Sequence, residues 1–116
     1  MIKVTILYPD KEGGTFDFDY YLQRHMPMSI ELQGPTLRGV TVERGLHGVV
    51  PESRPAYVAM CHFYYDSVKA FLQAFMPHAE VLQGDIPNYT DVEPVIQFSE
   101  VEMHSAAPSL ERERTN

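Results

Sequence analysis

The sequence predicts an α+β domain in which two helices pack on one face of a four-stranded antiparallel sheet. Three observations lead there. Residues 2–8 alternate Ile2, Val4, Ile6 and Tyr8 against Lys3, Thr5 and Leu7, the period of two that belongs to a strand. The run AYVAMCHFYY, residues 56–65, is apolar at nearly every position, as in a strand buried on both faces. Two further segments repeat apolar residues every three or four positions and are bracketed by Asp and Gly, the start and stop signals of helices.

In chain order, Pro9 closes the first strand, and residues 11–15, with Gly13 and Gly14, form a loop. Asp17 is placed to cap a first helix whose inward face reads Phe18, Tyr21, Leu22, His25, Ser29 and Leu32, and Gly34 and Pro35 stop it. Residues 37–46 read as a second strand interrupted by Gly39 and Gly45, followed by a loop over 47–55. After the third strand at 56–65, Asp66 is a cap for a second helix with Val68, Phe71, Leu72, Phe75, Ala79 and Leu82 facing inward and Gly84 at its end. The segment GDIPNYTDVEP is a loop, and residues 95–103 form the last strand. The domain therefore spans 1–103, and 104–116 (HSAAPSLERERTN) read as a polar, flexible tail. The order strand, helix, strand, strand, helix, strand, joined by right-handed crossovers, is the ferredoxin-like βαββαβ arrangement. The halves echo each other: RHMPMS and AFMPHA each place Met-Pro at a similar distance after the helix start.

A chain of 116 residues, 44% hydrophobic and 22% charged, suffices for one domain with its own core. Its net charge of -7, with Lys and Arg scattered singly, argues against a nucleic-acid or anionic-membrane partner, since both require a basic face. The single cysteine, Cys61, has no partner in the chain, which fits a reducing compartment such as the cytoplasm. The N-terminus lacks the apolar core of a secretory signal, and no apolar run approaches the ~20 residues of a membrane span. Helices cover one sheet face only, yet the first and third strands offer apolar side chains to both. The uncovered face therefore calls for a second copy of the chain, and a homodimer is expected.

Pro27 falls inside the first helical pattern, where its ring clashes with the Gln23 carbonyl and it has no N–H to donate, so the helix must kink or restart. His25 precedes that break on the face of Phe18, Tyr21 and Leu22, which aims an imidazole able to move protons near neutral pH toward the sheet. A histidine simply hydrogen-bonded inside the core has the same signature. His62 alternates with Cys61 and Phe63, so it faces either a helix or a pocket, with packing as the plainer reading. Tyr20, Tyr21, Tyr57 and Tyr89 suit the wall of an apolar cavity with phenolic handles, as they also suit core edges. Asp85, Asn88, Thr90 and Asp91 are turn formers, and Asp85 or Tyr89 is the candidate partner for His25. No phosphate-cradling glycine loop, HExxH, paired-cysteine spacing or nucleophile-elbow serine is present, so the sequence calls for no metal and no cofactor.

With these elements in order, the runs FDFDYYLQRHMPM and GDIPNYTDVEPVIQFSEVEM together resemble the EthD family, named for ethyl tert-butyl ether degradation. The resemblance covers roughly residues 1–103 and implies the dimeric α+β barrel group, which includes cofactor-free monooxygenases, polyketide cyclases and muconolactone isomerases. Tyr20, Tyr21, His25, Pro27, Asp85, Pro87, Asn88, Tyr89 and Thr90 occupy the family-like positions, which makes His25 the natural acid/base group. Two functions compete. One is a cofactor-independent enzyme of acid/base or oxidoreductase type, acting in the catabolism of a small apolar organic compound, in which His25, Tyr89 and Asp85 carry the chemistry and Tyr20, Tyr21, His62 and Asn88 hold the ligand. The other is a non-catalytic module that delivers such a ligand to an oxygenase partner. Haem chemistry, known in the same architecture, would announce itself by a visible absorption band on haem addition.

Overall fold

Strand β1 (Ile2–Pro9) runs through the interior of the sheet in the computed structural model, which describes residues 1–105; most of the expected tail, 106–116, lies outside the described residues. With β2 (Gly39–Arg44), β3 (Tyr57–Tyr65) and β4 (Val95–Glu100) it builds a four-stranded antiparallel sheet in the order β2-β3-β1-β4. The first and third strands are thus central, as their apolar runs require. The outer strands are shorter than the sequence predicts. β4 ends at Glu100 because its partner Ile2 is the first residue of β1, and one last bond from Val101 N to Met1 O closes the edge. β2 ends before Gly45, whose backbone is pressed so closely on the start of β3 that a Cβ there would stand 2.1 Å from the Tyr57 carbonyl oxygen. Only glycine fits that crossing.

The first helical stretch begins where Asp17 accepts a bond from Tyr20 N at 3.0 Å. It passes through α1 (Phe18–Tyr20), a π-helical turn (Tyr21–His25) and α2 (Met26–Gln33), and Gly34, at φ +70°, ends it. The wide turn is the chain's answer to Pro27. That residue offers no N–H to the Gln23 carbonyl, and the Met26 N–H instead reaches back five residues to the Tyr21 carbonyl. The extra residue in this turn rotates the buried row. Tyr21, His25, Met26, Ser29 and Gln33 face the sheet, whereas Leu22 and Leu32, expected inward from a uniform helical period, are 48% and 36% exposed.

The second stretch is capped by Ser67, whose Oγ accepts from Ala70 N at 3.1 Å, and not by Asp66, which pairs with Arg38 at 2.9 Å. Along α3 (Val68–Phe75) the buried residues are Phe71 and Ala74; Val68 and Leu72, expected to face inward, are 47% and 46% exposed. The contact stripe is narrow because Phe71 alone spans from Tyr65 (5.3 Å between ring centroids) to Phe98 (4.9 Å). The second Met-Pro, Met76-Pro77, opens a short 3₁₀ turn (Met76–His78), after which α4 (Ala79–Gly84) buries Leu82. The two echoing segments thus break their helices in opposite senses, one by widening and one by tightening a turn.

Strand alternation sorts the side chains. Val4, Ile6, Tyr8, Ala59, Cys61, Phe63 and Tyr65 point toward the helices and form the centre of the core. On the helix-free face, Leu7, Met60, Tyr64 and Val95 are interspersed with Thr5, Glu43, His62 and Gln97. This face is less uniformly apolar than the sequence suggests, because His62 bonds both Thr5 Oγ1 (3.0 Å) and Glu43 Oε1 (2.7 Å) across the strands. Among the described residues, no helix is long and apolar enough to cross a membrane.

Candidate functional site

The site forms where the start of the first helical stretch meets the loop after α4. A bridge between Phe16 and Thr90 joins the two segments, and Asp17 N donates to the Tyr89 carbonyl at 2.7 Å. Thr90 Oγ1 donates to the Thr15 carbonyl (2.6 Å), and Asp91 Oδ1 accepts from Thr15 N (2.9 Å). These bonds clamp together two stretches far apart in sequence, and the turn formers Thr90 and Asp91 are spent on that clamp.

Asp85 ends α4 and acts as a hub. Its Oδ1 accepts from Tyr20 Oη at 2.6 Å and from Asn88 Nδ2 at 2.9 Å, while Oδ2 lies 2.9 Å from His25 Nδ1. Burial opposes the charge on Asp85, but the bonds from Tyr20, Asn88 and His25 outweigh it and hold the carboxyl below the usual carboxylate range. An ionised carboxylate only accepts, so the proton between the pair belongs to Nδ1 and the lone pair of the neutral imidazole sits on Nε2. Nε2 has no hydrogen-bond partner among the described residues and is not sealed from solvent. His25 itself is 8% exposed; its ring stacks on Tyr21 (5.5 Å, rings 13° apart) and meets Tyr89 at a tilt (4.7 Å, 52°), contacts that fix the plane of the imidazole.

His25 lines a cavity of about 200 Å³ enclosed by Ile6, Met26, Phe63, Leu82, Ile86 and Ile96, with Tyr8, Tyr21, Ser29 and Tyr89 supplying polar atoms. Tyr8 and Tyr89 share a hydrogen bond of 2.6 Å. Whichever hydroxyl donates, the other keeps its own proton free to donate elsewhere. Burial pushes the Tyr8 phenol up to about 12, against the opposing pull of Tyr89, and raises Tyr89 and Tyr21 too, so all three are neutral donors near pH 7. Burial likewise pushes the Cys61 thiol up to about 12, which keeps it protonated behind the cavity wall.

The structure therefore gathers His25, Asp85, Tyr20, Asn88, Tyr21 and Tyr89 into one constellation. His62 stands apart from it on the helix-free face, bonded to Thr5 and Glu43, because strand alternation turns it away from Cys61 and Phe63. Sequence reasoning missed Tyr8. The signal was present in its alternation with Val4 and Ile6, which puts it on the helix-facing side, but the hydroxyl's partner lies in a loop 81 residues away. Among the described residues, no cluster of three or more His, Cys, Asp or Glu stands close enough to hold a metal ion.

The lowered Asp85 pKa carries a sign. A carboxyl depressed by folding adds stability that is complete above its unfolded value of about 3.9 and is lost as pH falls through the folded value. Urea unfolding of wild type and Asp85→Asn from pH 7 down to 2 is expected to show a shallower loss in the variant below about pH 4. Parallel acid limbs would mean that Asp85 is not held ionised by its partners.

A family model described as the EthD domain matches residues 15–93. Among solved structures, an EthD-like protein from Ralstonia eutropha JMP134 is 46% identical over 90% of this chain and 95% of that one, with a TM-score of 0.86. An ethyl tert-butyl ether degradation (EthD) family protein from Bacillus halodurans C-125 is 24% identical over 87% and 98%, with a TM-score of 0.67. HapK from Hahella chejuensis is 16% identical over 90% and 98%, with a TM-score of 0.51, a likeness of fold alone. No curated protein matches the chain.

Proposed function

The chain belongs to the EthD family, and from that membership and the geometry around His25 we propose that it is a cofactor-independent acid–base catalyst acting on a small, largely apolar organic compound. The observation that carries this reading is an imidazole held at Nδ1 by a partly buried carboxylate, with its Nε2 lone pair free beside an apolar cavity. His25 Nε2 removes a proton from carbon next to a carbonyl, Asp85 stabilises the imidazolium that forms, and the Tyr8–Tyr89 pair donates to the resulting enolate oxygen. Returning the proton to another carbon completes an isomerisation; attack of the enolate carbon on a second carbonyl of the same molecule, whose oxygen then takes the proton, completes a cyclisation; and loss of an electron from the enolate to dioxygen would start an oxidation. The ether-degradation link in the family name supports a place in the catabolism of small organic compounds, and the free, buried Cys61 suits the cytoplasm.

The test is exchange of the carbon-bound α-protons of β-tetralone for deuterium in D₂O, followed by NMR. Wild type is expected to accelerate exchange over buffer, and His25→Gln to abolish the acceleration. Equal exchange with both proteins overturns the proposal. A ketone that binds with no acceleration supports instead a non-catalytic module that delivers its ligand to an oxygenase.

Two copies, in this reading, pair through the helix-free face. Leu7, Met60, Tyr64 and Val95 offer it apolar area, and burying such side chains is worth about 1.5–3 kcal/mol each. Sedimentation at micromolar concentration is expected to give a dimer, and Met60→Lys a monomer. A wild-type monomer would remove the pairing and leave the His25 site untouched.

A further inference from the structure

A second hollow, of about 220 Å³, lies against the His25 cavity and shares five of its walls: Ile6, Phe63, Phe75, Gln83 and Ile96. Its own residues include Phe71, Met76 and Phe98. It exists because the helices stop short of the edge strand. β4 turns Ile96 and Phe98 toward the helical layer, yet they remain 51% and 45% exposed, and Met76 on the turn after α3 is 56% exposed. Among the described residues, no Asp, Glu, Lys or Arg side chain lines either hollow. Apart from the Gln83 amide at the junction, the ionisable and hydrogen-bonding side chains line the first, at His25, Tyr8, Tyr21, Ser29 and Tyr89, and the second offers aromatic and aliphatic walls.

We infer that the two hollows are a single site for an elongated ligand: an oxygen-bearing head beside His25, and an uncharged tail, an alkyl chain or flat ring system, lying along β4 over Phe71 and Phe98. The assignment of the head rests on the acid–base reading above; the tail rests on the continuity of the walls. A compact ligand would fill the first hollow and leave an aromatic trough open to water at its end, the kind of exposed apolar patch that marks a binding groove. Absence of charge along the trough selects a neutral tail, since a charged group there would be stripped of water with no partner.

The experiment is calorimetric titration of the full chain with the phenols p-cresol, p-butylphenol and p-octylphenol, below their aggregation limits. Each added methylene buried in the trough is expected to tighten binding about fourfold, so p-octylphenol should bind at least about a hundredfold more tightly than p-cresol, with one molecule per chain. Phe98→Lys, on the half-exposed edge strand, should collapse that octyl-to-cresol ratio; Met76→Lys, on an exposed turn, is the second variant should the first disturb folding. A flat series in wild type overturns the tail site, whether the trough is too shallow or a second copy covers it. An unchanged ratio in both folded variants overturns it as well. Neither result touches the deuterium-exchange test of His25, so failure of the tail and failure of the head are separable.

Discussion

His25→Gln is expected to lower turnover by about 10²–10⁴-fold, the usual worth of a positioned general base, while ligand affinity falls little. Glutamine is the informative replacement. Its side-chain amide can keep a donor near Asp85 Oδ2, so the bond that is 2.9 Å long in the parent has a substitute, but it has no basic lone pair to present to the cavity. Steady-state rates and ligand titration on the same preparations separate the two effects. A variant that loses binding and turnover together would assign His25 to holding the ligand, and one that loses neither would reduce it to a packed core histidine. Asp85→Asn complements it: the imidazole keeps a neighbour but loses the charge that stabilises its protonated form, so turnover should fall.

Tyr8→Phe and Tyr89→Phe are expected to cost about 10²–10³-fold in turnover each, the loss recorded when one donor to a developing oxyanion is removed. Either substitution breaks the 2.6 Å hydroxyl pair and strips the cavity of a polarised donor. The double variant should be little worse than the singles, because the two hydroxyls act as a unit. Both residues lie in the core cluster, at 2% exposure, so folding must be checked alongside. Removing a hydroxyl from a buried pair leaves the other without its partner, at a cost of about 1–3 kcal/mol, visible in urea unfolding. Full activity with reduced stability would make the pair a structural strut, and the enolate oxygen would need another donor.

Much of this molecule is legible along the chain. Alternation over residues 2–8 and the apolar run at 56–65 identify two strands that the structure places at the centre of the sheet, where each gives the core a row of apolar side chains. Asp17 declares the first helix start, and Pro27 declares a fault within the helix. The chain also names most of the site: His25, Asp85, Tyr20, Asn88 and Tyr89 are separately visible as an odd histidine, turn formers and tyrosines. What it conceals is the kind of fault at Pro27. A uniform helical period carries Leu22 and Leu32 inward, whereas the π turn sends Met26 and Gln33 there, and Gln33 is held by bonds to Ser29 and to the Tyr65 hydroxyl. Periodicity is a property of an unbroken backbone and fails where the hydrogen-bonding step changes.

The sequence by itself determined the element order, the central strands, the antiparallel sheet under one helical layer and the residue types with which chemistry could be done. Only the tertiary structure decided which of those residues meet. The clamp of Phe16 and Asp17 on Tyr89 and Thr90 delivers Asp85 to His25 across 60 residues, strand pairing turns His62 to the opposite face, and β1 brings Tyr8 up to Tyr89. Local patterns record what each residue does to its own backbone within a turn or two. A catalytic arrangement is made of contacts between distant segments, and those are set by how the sheet's register and the helices' packing close on one another.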